Sequence, residues 1–522
     1  MQTFEWIVLL LFASACLAEV ARRIGAPYPT LLALGGVGIA FLPGSPKWTL
    51  DPELALTLFV APVLLDAAYD TSIRDLRLNW KPVTGLVVAA VGTTVIGVAL
   101  VCQWLVPAMP WVVALALGAI VAPPDAAAAS AVMRQVGLPH RLLSILEGES
   151  LLNDATALFI YRIMLMTLAM GSVGAAKLVP LFLVTVVGSI AVGVLLSFVM
   201  RRISRLTDHV PTSLLIQFAC TFGVWILAEK MGLSGILTMV AFAMALARSG
   251  GPPMPARMRV PILASWEIVV FILNAVAFVL IGMQLRPIWE RLGTGAARAD
   301  AMVVAISVLV VTVATRFLWV MTYGALGRRK RAKLAPQTRP RTGWGADLVI
   351  SWAGMRGIVT LAAAFALPVT LPDGSAFPYR DLIVLCAFGV VFGTLVLQGF
   401  TMKPIIRLLN LTDDDPVAAE IRSGRALMYQ ALLDAISGDE SLHAKLLRKE
   451  YQSVVDLNAG EESAMPLSEV PGGQIRRSAI DAARQKAVAL RNEDVIGDNA
   501  YRVLMQELDW AELAAGSSDA SA

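Results

Sequence analysis

The residues in this chain best placed to do chemistry are ionisable groups lying where such groups are costly. The densest set is Glu147-Gly-Glu149-Ser150-Leu-Leu-Asn153-Asp154, embedded in an apolar stretch. On a helix, Ser150 and Asp154 are four residues apart, as are Glu149 and Asn153, while Glu147 lies seven before Asp154. Carboxylates, a hydroxyl and an amide would then line adjoining faces over two turns. Their oxygens suit hard cations rather than thiophilic metals. A polar packing network between helices is the plainer alternative, but four such groups within six residues at membrane depth favour a functional site.

The second feature is Val121-Ala-Pro123-Pro124-Asp125. Successive prolines remove backbone donors and turn the preceding residues away from helix. Inside a membrane such a break is tolerated only where protein buries it or it lines a cavity. A carboxylate beside the freed carbonyls makes a cation cradle. The third is Ser351-Trp-Ala-Gly354-Met-Arg356-Gly357, where two glycines flank an arginine and again interrupt a helix. An unpaired arginine would be costly there, so Arg356 is expected to meet a carboxylate, Glu149 first and Asp347 as the local alternative. Among the other intramembrane charges, Glu267 and Arg316 read as a structural pair. Glu147 reads as a solvated residue at a cytoplasmic mouth, and Asp66 as a core contact or funnel lining. Arg162 is a further intramembrane charge, and Glu19 and Glu229 lie near span ends, where interfacial and functional positions are equally open.

The elements that must position these groups follow from composition. The chain has 522 residues, 57% hydrophobic and only 16% charged, with a mean hydropathy of +0.69. Soluble domains average about a quarter charged, so this is a polytopic membrane protein. Apolar runs long enough to span a bilayer fall near 3–21, 27–44, 52–69, 83–106, 110–133, 146–170, 177–200, 211–229, 233–248, 263–285, 300–325, 346–368 and 381–402, thirteen in all. The first carries Glu5 and no basic n-region, and Arg22-Arg23 follow it, so it reads as a retained helix with its N-terminus outside. Loop charges test this orientation independently. With the N-terminus outside, inside loops hold about 20 Lys and Arg against about 7 outside. The interrupted spans 5 and 12 lie seven apart. An odd offset reverses direction, so they read as equivalent discontinuous helices of inverted repeats, the pattern of secondary transporters.

Other chemistries are poorly supplied. The four cysteines stand singly without C-x-x-C spacing, and three histidines lie in polar stretches, which argues against zinc sites and disulfide frameworks. No Walker A, dinucleotide or G-x-S-x-G motif is present. The basic run Arg328–Arg331 with Lys333 reads as a topology determinant facing anionic lipid, not nucleic acid.

At these residues the sequence resembles the monovalent cation:proton antiporters, in the branch of bacterial NhaP-type proteins and eukaryotic sodium–proton exchangers. The resemblance rests on Gly148-Glu149-Ser150-Leu151-Leu152-Asn153-Asp154, on Asp125 with Ala126–Ala129 and Ser130-Ala-Val132, and on Gly354-Met-Arg356-Gly357. Ala61-Pro62-Val-Leu-Leu-Asp66, Asn274-Ala-Val-Ala-Phe278 and Ile281-Gly282 add to it, and it covers about residues 5–410. It implies a homodimer in the plasma (inner) membrane, each protomer with a mobile six-helix core. It implies that Asp154 carries proton or cation in turn, and that Asn153 is the amide neighbour of members exchanging one cation for one proton. Asp125 matches the carboxylate of the unwound helix, Glu149 and Ser150 match residues near the ion, and Arg356 matches the arginine pairing with that glutamate. Asp154, Asp125 and Ser150 would hold the monovalent cation, with Pro124, Gly354 and Gly357 in support. The family often has Thr where Pro124 stands, so only the carbonyl of that position is on offer.

The reading is therefore an all-α membrane protein of about thirteen transmembrane helices, with an exchanger domain at 1–411 and a cytoplasmic helical tail at 412–522. It exchanges Na+ (or Li+ or K+) for H+, needs no cofactor and is no enzyme. A K+-selective proton antiporter is the alternative. An intramembrane aspartyl hydrolase is the rival of another class, disfavoured because no G-x-G-D arrangement occurs. The tail shows helical periodicity at 416–436, 441–457 and 473–513 and is expected to regulate exchange or stabilise the dimer. The overall charge of +4 divides into +13 for residues 1–411 and −9 for the tail, so a tail folded back on the basic loops is electrostatically favoured.

Overall fold

The computed structural model describes residues 2–45, 52–125, 138–170, 175–248, 255–292, 295–334, 343–371, 374–409, 411, 416–459 and 473–514. Among them the regular secondary structure is helical, apart from one isolated bridge between Thr370 and Ala376. Helix α1 is Gln2–Ile24 and α2 is Tyr28–Ala40. Helix α3 runs over 52–70 and carries a π turn at Leu56–Val60, just before Pro62. Proline has no N–H for the carbonyl one turn back, and a widened turn accommodates that mismatch. Short α4 (Ile73–Leu78) precedes α5 (80–105), which has a second π turn at Gly85–Ala90. Helix α6 is Trp111–Val121 and α7 is His140–Met170.

The chain continues with α8 (Ala175–Ser204), α9 (Val210–Lys230), α10 (Gly235–Arg248), α11 (Ala256–Met283) and α12 (Leu285–Arg291). Helix α13 is Ala296–Leu334, followed by α14 (Trp344–Trp352), α15 (Ile358–Phe365) and α16 (Arg380–Leu409). The span expected at 346–368 is thus two half-helices, separated at Ala353–Gly357. In the span expected at 110–133, α6 ends at Val121, ahead of Pro123-Pro124. Ala126–Ala129, Ser130 and Val132 lie outside the described residues.

Among the described residues eight helices are long and apolar enough to cross a membrane, with three shorter apolar ones at Tyr28–Ala40, Trp111–Val121 and Gly235–Arg248. Burial sorts them. Two thirds (67%) of the apolar window of α16 is buried in protein but only 17% of those of α1 and α8, so α16 is central and the other two are peripheral. Helices α2 and α11 meet backbone to backbone. A methyl group at Gly36 would overlap the Val279 carbonyl, and one at Gly282 the Ala33 carbonyl, so larger residues at either glycine would force the pair apart.

Among the described residues of the tail there are four helices, α17 (Pro416–Ala435), α18 (Leu442–Ala459), α19 (Gly473–Asn492) and α20 (Asp498–Ala514), where three were expected. The long third helix breaks because Asp494 takes a left-handed conformation (φ 55°) and the Val495 amide returns to the Leu490 carbonyl at 2.9 Å. That αL cap ends α19, and short polar residues such as aspartate tolerate the conformation. Met428, Leu432, Leu447, Tyr451, Ile480 and Leu504 belong to a core of the tail's own. The tail folds back on the basic loops, as its charge favours. Arg74 pairs with Glu420 at 3.0 Å, Arg502 reaches Asp70 at 3.3 Å, and Arg259 grips Asp509 through both oxygens.

Candidate functional site

Two helix breaks meet at the centre of the membrane part. The Asp125 amide donates to the Met355 carbonyl at 2.7 Å, joining the extended segment after α6 to that between α14 and α15. Each break brings a charge to the other's helix end. The Asp125 carboxylate lies against Gly357, the residue capping the N-terminus of α15; a methyl there would overlap its Oδ2. A helix N-terminus carries unsatisfied N–H groups and partial positive charge, so a carboxylate is stabilised there. Reciprocally, the Arg356 guanidinium donates to the Val121 and Ala122 carbonyls at 3.1 and 3.2 Å, at the C-terminal end of α6, and also to Gly354 O. The Arg356 amide is held by Thr394 of α16 at 3.0 Å.

This corrects the expected partner of Arg356. Glu149 is instead gripped by Arg316 of α13, whose Nη1 and Nη2 each take one carboxylate oxygen, the second at 2.8 Å. Both side chains are almost fully buried, 3% and 1% exposed. Arg316 also donates to the Ile350 carbonyl at 3.2 and 2.9 Å. Gly354 lets the two guanidiniums flank one point, since a methyl there would crowd Arg316 Nε and Arg356 Nη1 alike. Asp347, the local alternative, pairs with Arg328. The Glu267–Arg316 pair is not formed, and Glu267 lines a cavity. Arg162 does pair with Glu229, at 2.8 Å.

Helix α7 divides its polar groups by face. Glu149 and Asn153 turn inward: Glu149 goes to Arg316, and Asn153 Nδ2 donates to the Pro124 carbonyl at 3.0 Å. Position 124 thus acts through its carbonyl. Buried Asn153 Oδ1 has no partner among the described residues. Glu147, Ser150 and Asp154 face a cavity of about 710 Å³ that Asp125, Asp66 and Glu267 also line. Of the expected ion ligands, the structure brings Asp154, Asp125 and Ser150 together and sets Asn153 beside them. It places Glu149 outside the cavity wall, because Arg316 uses both of its oxygens. Among the described residues no group of His, Cys, Asp and Glu suits a multivalent metal.

Sequence reasoning missed the role of Arg316. Its signal was present, an arginine deep in an apolar helix, but the partner was sought in the adjacent span. A helix end and a broken helix, each with a charge at the other's terminus, meet at a carboxylate-lined cavity in a helical membrane protein, an arrangement that secondary transporters use. Residues 7–408 match the model of the transmembrane sodium/hydrogen exchanger family, and the chain belongs to that family. It is 32% identical to an uncharacterized Na(+)/H(+) exchanger of Mycobacterium tuberculosis, over 97% of this chain and 95% of that protein. It is also 32% identical to a sodium, potassium, lithium and rubidium/H(+) antiporter of Bacillus pumilus, over 79% of this chain and 62% of that one. The fold matches the sodium proton antiporter MjNhaP1 of Methanocaldococcus jannaschii at a TM-score of 0.58 and 18% identity, covering 78% of this chain and 99% of that chain.

Proposed function

We propose that the protein is a secondary antiporter that exchanges Na+, or Li+ or K+, for H+ by alternating access, with cation and proton competing for Asp154. The observation that carries this reading is the placement of Asp154 and Asp125 on one cavity wall, where the segment after α6 meets the break between α14 and α15. A carboxylate facing water can hold a proton or a cation, and occupation by one excludes the other. Movement permitted only when that charge is neutralised couples the two fluxes, with no enzymatic step. Ser150 Oγ and the free Asn153 Oδ1 are the neutral oxygens that would complete a hard-cation site.

Because Asn153 stands where a further carboxylate would add a charge, exchange of one cation for one proton, electroneutral, fits the donor set. The Bacillus relative is named for four alkali cations, which keeps a K+-selective mode as the second reading. The spans near the thirteen apolar stretches, with α14–α15 and the α6 break as crossing discontinuous helices, fit inverted repeats. The loop charges put the N-terminus outside and the tail in the cytoplasm, in a plasma membrane, and the family likeness suits a homodimer. The deciding experiment loads everted vesicles or proteoliposomes with a pH-sensitive dye and adds Na+, Li+ and K+ separately. Recovery of fluorescence with at least one cation in wild type, and none in D154N, is the expected result. Absence of any response in a folded preparation, across neutral and mildly alkaline pH, would sink the proposal.

A further inference from the structure

Two sets of membrane elements line the cavity at Asp154. Asp66 and Asp70 of α3, Arg248 of α10 and Asn274 of α11 belong to one, and Ser150 and Asp154 of α7 to the other. The cavity runs from Asp154 to the tail-side ends of α3, α10 and α11, marked by Asp70, Arg248 and Arg259. Among the described residues, no position of α7 beyond Asp154 lines it. The same division appears in the packing. Leu64 of α3, Val224 and Trp225 of α9, and Ile236 and Met239 of α10 share one core. Ala157 and Tyr161 of α7 belong to another, which holds α5, α6 and α13 to α16.

Helix α7 therefore borders two bodies, and one stripe of it faces α3, α9 and α10. Leu151, Ala155 and Leu158 lie against their core, and Arg162 continues the stripe at helical spacing. Leu151 still lines the cavity; Ala155 and Leu158 shut the seam beyond it. At the far end Arg162 fastens α7 to the turn between α9 and α10. Its Nη2 donates to Glu229 Oε1 and Oε2 at 3.1 and 2.8 Å, and its Nη1 to the Leu233 carbonyl at 3.5 Å. Glu229 Oε1 also accepts from the Gly235 amide at 3.1 Å, so the carboxylate is anchored to the start of α10 before the arginine reaches it.

We propose that the Arg162–Glu229 pair is the far-side latch of the exchanger, holding the seam beyond Asp154 shut so that the ion site faces the tail side. This rests on the exchange reading above and names the pair that sets which face the site meets. Alternating access requires Asp154 to meet the opposite face in turn. Arg162 stands eight residues further along α7, about 12 Å at the helical rise, so the stripe is the barrier between the site and that face. Opening it means parting α7 from the α9–α10 turn. Apolar contacts at Ala155 and Leu158 tolerate sliding, whereas a side-chain hydrogen bond is lost beyond about 3.6 Å. The ion pair is thus the contact that distinguishes the shut seam from the open one. Its two side chains are 41% and 40% exposed, and exposed pairs shift an equilibrium by up to about fivefold. A latch of that strength biases the two access states without trapping either.

The test uses the full chain in vesicles, with its four native cysteines replaced by serine and L158C as a reporter in the seam. A membrane-impermeant maleimide is added on the face away from the tail. R162Q and E229Q should each label up to about fivefold faster than the parent, and R162E/E229R close to the parent rate. A static interfacial pair would leave all these rates alike, which overturns the latch; so does a swapped pair that labels as fast as the single variants. A second arm does not depend on those variants folding. R162C/E229C, joined by a short bis-methanethiosulfonate, should lose exchange and regain it on reduction, and exchange undiminished after cross-linking overturns the latch. Vesicles that label as expected but move no cation would refute the exchange reading while leaving the opening seam. Normal exchange with uniform labelling would refute the latch alone.

Discussion

Replacing Arg316 with methionine leaves Glu149 buried, at 1% exposure, with no ion-pair partner among the described residues. Removing one partner of a buried pair costs about 3–5 kcal/mol, because the remaining charge has neither water nor a counter-ion. The reverse change, E149Q, should cost less. Arg316 would keep its two bonds to the Ile350 carbonyl, so the loss should be about 1–3 kcal/mol. The double variant R316M/E149M removes both charges and should lie within about 1 kcal/mol of wild type, since apolar replacement of a buried pair is often neutral or stabilising. The order R316M, then E149Q, then the double is read from thermal midpoints of detergent-solubilised protein, followed by loss of the monodisperse chromatographic peak. A second comparison separates the two arginines. Removing the Glu149 charge should rescue R316M and leave R356M unrescued, because Arg356 binds carbonyl oxygens of α6 and not the carboxylate. A double variant no more stable than R316M, or rescue of R356M in its place, would refute the assigned pairing.

Further outcomes follow from the same geometry. G357A places a methyl on the Asp125 carboxylate and should abolish exchange while expression and the chromatographic profile persist; unaltered exchange would show that Asp125 need not sit at the α15 terminus. D125N should lower the maximal rate and weaken cation dependence more than D66N does, measured by dye recovery against cation concentration. The Asp75 carboxyl outside the spans is pushed up by burial, but His140 and the Ser72 hydroxyl pull harder, so it lies below the usual carboxylate range. A depressed folded pKa adds stability that is complete above the unfolded value of about 4 and lost as pH falls through the folded one. The stability gap between wild type and D75N should therefore be full at neutral pH and close under strongly acidic conditions; a gap independent of pH would contradict this.

Much of this molecule was legible from residue order because the relevant physics is local. A chain that crosses a bilayer must satisfy its backbone hydrogen bonds internally, and apolar runs of helix-spanning length announce helical spans. Pro123-Pro124 announces a helix end by denying the chain its helical bonds, and the glycines at 354 and 357 announce a break by their low helix preference; α6 ends at Val121, and α14 and α15 part at Ala353–Gly357. Helical spacing put Ser150 and Asp154 on one face of α7 and Glu149 and Asn153 on another, and charge division favoured a folded-back tail. Partner choice was another matter. Glu149 and Arg316 are 167 residues apart, and nothing in their neighbourhoods says that α13 lies against α7. Sequence proximity suggested Glu267 for Arg316, and burial of charge suggested Glu149 for Arg356. Only packing decided that one guanidinium should answer a carboxylate and the other the open carbonyls of a half-helix. Likewise the tail's acidity favoured contact with basic loops but said nothing of where. That residues of α20 line the same cavity as Asp154 depends on where α3, α4, α10 and α11 end in space, which no local rule along the chain encodes.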